Sequence, residues 1–141
     1  MLAPELLQAY LDSHYRIAMP GDACVLQIGK HSPAMDALLH AEHSTSAAFI
    51  SACNPCSRQL PAAINRSRNA ALEQLLLARK LRYFPGVGYS TPTMPAWPPE
   101  PGFLILTITR QQARQLGAQF DQHALLFVEP GLPVELLFCQ R

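Results

Sequence analysis

The chain has 141 residues, with 11 Lys and Arg against 10 Asp and Glu, and 49% of its residues are hydrophobic. This length is typical of a single domain, which would span residues 1–141. The composition excludes a disordered chain, which needs low hydrophobicity and high net charge, and a polycation that binds nucleic acid by bulk charge. No apolar run is long enough for a membrane-spanning helix, so none is predicted.

The first residues of the chain do not have the pattern of a secretory signal, because Glu5 and Asp12 precede the first basic residue, Arg16. We therefore expect a cytoplasmic protein. In that compartment the cysteines are reduced thiols rather than disulfides. They are Cys24, Cys53, Cys56 and Cys139.

Apolar spacing and turn residues predict alternating helices and strands. The predicted helices cover about 4–13, 33–42, 61–80 and 110–120, with Ser32 and Thr109 as N-caps. The predicted strands cover about 15–19, 24–28, 47–52, 81–84, 103–108, 124–128 and 134–138. Pro85-Gly86-Val87-Gly88 is interpreted as the end of the fourth strand, and residues 90–102 as an ordered loop.

The order of these elements indicates how the sheet is built. Strand, helix and strand over 47–84 are long enough for a crossover connection, which joins parallel strands in nearly all folds. The last two strands form a hairpin, which adds antiparallel pairing. We therefore predict an α/β or α+β fold, with a single mixed β-sheet, helices packed on it and a C-terminal β-hairpin.

A polar stretch follows the predicted strand at 47–52. Residues 54–57 leave the carboxyl end of that strand, where ligands bind in open sheets. Asn65, Arg68 and Asn69 share one face of the first turns of the next helix, near its positive end. Arg68 either points into a pocket and pairs with an anionic ligand group, or extends past the sheet edge to an acid of its own chain.

A second candidate is the Pro-rich loop before the strand at 103–108. Trp97 is interpreted either as a stacking wall for a ligand or as a cap on the core. Glu100 is either a hydrogen-bond acceptor or general base for a ligand, or the salt-bridge partner of Arg68. Both interpretations predict that Glu100 lies close to Arg68.

The remaining candidates depend on shorter patterns. Cys53 and Cys56 form a single C-x-x-C without a second pair to complete a zinc site, so we interpret them as small apolar side chains. His40 and His43 have no evident third ligand, and we predict neither a metal site nor a cofactor. His123 is a candidate acid or base, with a solvated turn histidine as the alternative.

These residues fall in a pattern that resembles the bacterial DUF3293 family over about residues 14–138. The resemblance is carried, in order, by AAFISACNPCS, NRSRNAAL, PGVG, WPPEPGFLIL and AQFDQHALLF. It implies no activity, because the family has none established. Its polar signature falls on Asn54, Pro55, Ser57, Asn65, Arg68, Asn69, Trp97, Glu100 and Gln122. The chain departs from the family pattern at Cys53 and Cys56, which replace aromatic residues, at Gly102, which replaces a serine, and at His123, which replaces an asparagine.

The leading functional hypothesis is a polar pocket that binds a small anionic or amide-bearing ligand, such as a nucleotide-like molecule. The proposed ligand-binding residues are Asn54, Ser57, Asn65, Arg68, Asn69, Trp97, Glu100 and Gln122. Whether the protein is an enzyme is left open, with Glu100 and His123 as the candidate catalytic residues. The sequence shows no pairing of a nucleophile with a base.

The alternative hypothesis is a non-catalytic interaction domain whose polar residues form an internal structural network. Its protein partner is unspecified. Nucleic-acid binding is not expected, although six of the eleven basic residues lie within 58–82. Arg79, Lys80 and Arg82 lie at the C-terminal end of the predicted helix, where the helix dipole already favours cations.

Overall fold

The computed structural model describes residues 3–21, 23–90 and 98–139. The helices are α1 (Pro4–Asp12), α2 (Pro33–Ala41), α3 (Ala62–Ala78) and α4 (Arg110–Gln119). The strands are β1 (His14–Ile17), β2 (Cys24–Leu26), β3 (Ala47–Ile50), β4 (Tyr83–Tyr89), β5 (Glu100–Leu106), β6 (Ala124–Val128) and β7 (Glu135–Phe138). A 3₁₀ turn, Pro55–Ser57, follows β3.

The strands form one sheet in the order β2-β1-β4-β5-β3-β6-β7, and every neighbouring pair is antiparallel. The sheet curls so that its two edges meet. Isolated bridges join Ile28 and His31, which follow edge strand β2, to Val134 and Pro133, which precede edge strand β7. The backbone N–H of Gly29 donates to the carbonyl of Val134 at 2.7 Å. These findings confirm the predicted α+β class, the single sheet with its helices, and the C-terminal hairpin of β6 and β7.

The crossover through α3 predicts parallel neighbours, and this detail is wrong. β3 and β4 run in the same direction, but β5 lies between them and pairs antiparallel with both. The apolar pattern of a strand indicates its burial but not its neighbours, so this insertion leaves no local signal.

The prediction that Pro85-Gly86-Val87-Gly88 ends a strand is also wrong, because β4 continues through these residues to Tyr89. The carbonyl of Pro85 accepts from Ala18 N at 2.9 Å, just beyond the end of β1. Because the nitrogen and the carbonyl of a strand residue point to the same side, the N–H that proline lacks would also face β1. The pairing of β4 with β5 therefore loses no donor at this position. A Cβ at position 86 would lie 2.9 Å from the carbonyl oxygen of Arg16 and 2.8 Å from Phe49 Cε1. Glycine therefore permits close packing of β4 here. The predicted loop at 90–102 is wrong at its end, because β5 already begins at Glu100, and its residues 91–97 lie outside the described ranges.

The central strands are buried on both faces. One face carries Phe49 and Leu104 with Leu39 of α2, and the other carries Ile50 with Leu72 of α3. Because all four residues of β3 are buried, its continuous apolar run is the expected pattern.

The two predicted N-caps are confirmed. Ser32 Oγ accepts from Met35 N at 3.1 Å, and Thr109 Oγ1 accepts from Gln112 N at 3.1 Å. Gln112 in turn accepts from the backbone N–H of Thr109, which completes a capping box. Within the described ranges, no helix is both long and apolar enough to cross a membrane.

We predict that Gly117→Ala destabilises the protein although it lies in a helix. Helix propensity alone would favour alanine by about 1 kcal/mol. The added methyl group, however, would collide with Cys139 Sγ and lie 3.1 Å from Leu125 Cδ2. We expect overpacking to lower the free energy of unfolding by about 1–3 kcal/mol in urea denaturation.

Cys139→Ala is the matched partner for this test, because it removes the sulfur atom that the new methyl group would meet. The double variant Gly117→Ala/Cys139→Ala should recover most of the loss caused by Gly117→Ala. A single Gly117→Ala variant as stable as the wild type would contradict the predicted collision.

Candidate functional site

The chain turns sharply where it leaves β3. Asn54, Cys56 and Ser57 adopt left-handed backbone conformations, with φ of 49°, 53° and 58°. Each such conformation costs on the order of 1 kcal/mol for a residue other than glycine. A hydrogen bond from Cys56 N to the Asp121 carbonyl at 2.7 Å joins the turn to the segment between α4 and β6. The strain persists because neighbouring elements hold the turn on several sides.

Asn54 provides most of that support. Its Nδ2 donates to Glu100 Oε2 at 2.7 Å, and its Oδ1 accepts from Leu60 N and from Asn65 Nδ2, both at 2.9 Å. Its own backbone N–H donates to Asn65 Oδ1 at 2.9 Å. One buried side chain therefore joins the turn to β5 and to the start of α3.

Asn69, one turn further along α3, joins the same elements below the turn. Its Oδ1 accepts from Ala52 N at 2.8 Å, and its Nδ2 donates to the Pro101 carbonyl at 2.8 Å. The oxygen and the nitrogen of this one amide thereby satisfy a backbone N–H just after β3 and a backbone carbonyl at the start of β5. The predicted spacing of Asn65 and Asn69 along one helix face places both at this junction.

Arg68 forms no ion pair with Glu100, so the interpretation of Glu100 as its salt-bridge partner is wrong. Its Nε donates to the Ala52 carbonyl at 2.7 Å, and its Nη2 donates to the Phe120 carbonyl at 2.6 Å. Phe120 is the C-cap of α4, where carbonyl groups lack helical partners and carry partial negative charge. Arg68 thus joins α3 to the ends of β3 and α4.

Gln122 and Ser57 connect the turn to β6. Gln122 Nε2 donates to the Cys53 carbonyl at 3.1 Å and to the Phe120 carbonyl at 3.2 Å. Ser57 Oγ lies 2.9 Å from His123 Nδ1. At this distance the hydroxyl and the imidazole form a hydrogen bond, as a nucleophile and a base do. The sequence does not reveal the pair, because its two members are 66 residues apart.

A cavity of about 100 Å³ opens beside this turn. The turn and α1 enclose it with the facing ends of β1, β4 and β5. None of its described lining residues is basic. They are Leu6, Ala9, Tyr10, Ser13, Tyr15, Asn54, Ser57, Gly88, Tyr89, Ser90, Pro98, Glu100 and Gln122.

Burial determines the electrostatics of the cavity. It raises the pKa of Glu100 above the ordinary value of 4.5, and the hydrogen bond from Asn54 opposes the rise only in part. Burial also raises the pKa of Tyr10 to about 12, against a hydrogen bond with Ser57 and with a smaller contribution from the charge of Glu100. Burial is also the main reason why the pKa of Tyr15 is raised. The cavity therefore combines two protonated phenols with a carboxyl group that has no cationic partner among the described residues.

The structure brings most of the predicted site residues together, but in two groups. Asn65, Arg68 and Asn69 hydrogen-bond to other groups of the fold and do not line this cavity, whereas Asn54, Ser57, Glu100 and Gln122 do. Trp97 lies outside the described residues.

Tyr10 and Tyr15 line the cavity, and sequence reasoning missed both of them as site residues. Tyr10 fits the apolar stripe of α1, so its spacing resembles that of an ordinary core position. Tyr15 occupies a buried position of β1 and packs edge-on against Phe49. The two tyrosines line the cavity because α1 packs beside the turn, and this packing is not evident from the sequence.

The environment of Cys53 disfavours a redox role for the C-x-x-C pair. Cys53 Sγ accepts from Asn69 Nδ2 at 3.3 Å, and burial raises the pKa of the Cys53 thiol, which disfavours a reactive thiolate. All four cysteines are thiols rather than disulfides. Within the described ranges, no three His, Cys, Asp or Glu residues are grouped to hold a metal ion.

Comparison with known proteins gives one result. A sequence profile described as protein of unknown function (DUF3293) matches residues 50–125, which is more than half of the chain. This range contains the strained turn, α3, Glu100 and His123. No curated protein and no solved structure matches the chain.

We predict that Arg68→Ala lowers the free energy of unfolding by about 3 kcal/mol, because it removes charge-assisted hydrogen bonds to two backbone carbonyls. Arg66→Ala is the matched control, since Arg66 is an exposed arginine two residues earlier on the same helix. It should change stability by less than about 0.5 kcal/mol. Urea denaturation measures both. Equal stability of the two variants would contradict the role assigned to Arg68.

A second prediction concerns pH. Because the folded-state pKa of Glu100 is raised, this group favours folding below its unfolded pKa, and that contribution is lost as pH rises through the folded value. Glu100→Gln does not titrate. The unfolding free energy of this variant, measured relative to wild type, should therefore increase as pH rises from about 4.5 toward neutrality.

Glu5→Gln controls for the loss of one negative charge, because Glu5 is exposed in the first turn of α1. Urea denaturation of the three proteins at a series of pH values gives the comparison. A stability difference between Glu100→Gln and wild type that falls with rising pH would contradict the burial of a carboxyl group without a cation.

Proposed function

The chain belongs to the DUF3293 family, proteins of unknown function, and from this premise we propose that its cavity binds a small ligand through an amide or protonated amine group. The observation that carries the proposal is Glu100. Its Oε2 accepts from Asn54 at 2.7 Å, and the side chain lines a cavity with no basic residue among its described walls. A largely buried carboxylate without a cation is unfavourable, and a ligand N–H or ammonium group would relieve that cost.

This ligand class differs in part from the one that the sequence suggests. An anionic or nucleotide-like ligand depends on a guanidinium group that faces it, and both Arg68 hydrogen bonds go to backbone carbonyls. An anion in the cavity would also be repelled by Glu100 in its charged form. We therefore retain the amide-bearing ligand and replace the anion with an amine.

The size of the cavity limits what enters it. A cavity of about 100 Å³ is smaller than the ~150 Å³ space that accommodates benzene in an engineered protein. Only a short group with a few heavy atoms fits, so a larger ligand would insert one end and leave the rest outside. The tyrosine rings of Tyr10 and Tyr15 provide apolar walls around that group, and Glu100 provides its acceptor.

The test is a thermal-shift comparison of methylammonium, acetamide, acetate and adenosine monophosphate on the wild type and Glu100→Gln. Methylammonium or acetamide should raise Tm of the wild type in a concentration-dependent way. Loss of a charge-assisted hydrogen bond should weaken methylammonium binding at least about tenfold in Glu100→Gln. Stabilisation by the two anions alone, or an unchanged response of Glu100→Gln, would contradict the proposal.

The alternative is a non-catalytic interaction domain, and the internal hydrogen bonds of Asn65, Arg68 and Asn69 favour it. These residues position backbone groups and leave the outer surface for a protein partner. In that case no small molecule changes Tm. For either function we propose a cytoplasmic location, which is supported by the four thiols because they are stable in a reducing compartment.

A further inference from the structure

Ser57 and His123 have the geometry of a nucleophile and its base. The distance from Ser57 Oγ to His123 Nδ1 is 2.9 Å, within the range at which imidazole accepts a hydroxyl proton. Nδ1 accepts that proton when the imidazole carries its own proton on Nε2. The pair also has access to a ligand, because Ser57 lines the cavity.

The backbone on both sides of this pair is fixed. Ser57 has φ of 58°, and its N–H donates to the Asn54 carbonyl at 3.0 Å. His123 precedes β6, and its carbonyl accepts from Cys139 N at 3.0 Å. Strained non-glycine residues that are held by several neighbours concentrate at active sites and ligand clamps. The serine is thus presented to the cavity at one position rather than on a loose loop.

Tyr10 adds a phenol to the walls of the cavity that Ser57 also lines. Ser57 acts on the pKa of this phenol, although burial has the larger effect. Because burial raises the pKa of Tyr10 to about 12, its phenol stays protonated at neutral pH and remains a donor. A protonated donor beside a nucleophile is suited to stabilise negative charge that develops on a substrate oxygen.

We propose that Ser57 is a nucleophile that accepts an acyl group from a small ester or thioester in the cavity, with His123 as its general base. Ser57 Oγ forms a bond to the carbonyl carbon as its proton passes to His123 Nδ1. The carbonyl oxygen becomes an oxyanion beside Tyr10. The carbonyl then re-forms, the bond to the leaving oxygen or sulfur breaks, and that atom takes the proton from His123.

This proposal uses the cavity of the proposed function, but it depends on Ser57 and His123 rather than on Glu100. The experiment treats the wild type with an alkyl fluorophosphonate, which mimics an activated acyl compound. Ser57 Oγ bonds to phosphorus, the phosphorus–fluorine bond breaks, fluoride leaves and His123 takes the proton. Mass spectrometry of the intact protein and of its peptides should place one adduct on Ser57.

Three variants test the assignment. Ser57→Ala should give no adduct, and His123→Asn should label at least about 100-fold more slowly, since a general base contributes about that much. Ser67→Ala is the matched control, because Ser67 is exposed on α3, and it should label at the wild-type rate. Rates are compared at a temperature where circular dichroism shows every variant folded.

The result on the wild type decides the proposal even if a variant fails to fold. No adduct, or an adduct on the neighbouring Cys56 in place of Ser57, would overturn it. So would an unchanged rate in folded His123→Asn. With p-nitrophenyl acetate, the same assignment predicts an acetyl group on Ser57 and release of p-nitrophenolate. Labelling reports on Ser57, whereas the thermal shift with methylammonium reports on reversible binding, so each proposal can fail without the other.

Discussion

The hydrogen bonds of Asn54 are the constraint on which the rest of the site depends. This residue adopts a left-handed conformation directly after a buried strand, and its amide bonds both to the start of α3 and to Glu100 on β5. These bonds offset the free-energy cost of the left-handed conformations, so the turn would relax without them. Because the turn carries Ser57 and positions Glu100, one amide side chain connects the fold to the chemistry of the cavity.

The polar residues at this edge of the sheet divide by what they contact. Arg68 and Asn69 bond to backbone groups of Ala52, Pro101 and Phe120, and they hold the ends of strands and a helix together. Ser57 and Glu100 face the cavity instead. A half-buried guanidinium group therefore does not by itself indicate an anion site, since helix C-terminal carbonyls are sufficient partners for it.

Features determined by local chemistry were predictable from the sequence. Ser32 and Thr109 are N-caps because a side-chain oxygen followed by helix-forming residues satisfies the first backbone N–H groups. The spacing of Asn65 and Asn69 was sufficient to predict one face of α3. The partners of Arg68 were not predictable, because backbone carbonyls have no sequence signature. The same holds for the meeting of Ser57 with His123, which depends on how distant parts of the chain pack.

The curled sheet has a consequence for how this protein meets other chains. An open sheet presents a row of unpaired backbone donors and acceptors along each outer strand, and these rows invite strand addition and aggregation. Here the segment after β2 bonds to the segment before β7, at Ile28 with Val134 and at His31 with Pro133. Some backbone donors and acceptors at the two edges of the sheet are thus already paired with each other. Pro133 has no N–H, which removes one more donor at this contact. A strand of another chain therefore finds fewer, and less continuous, backbone groups to pair with.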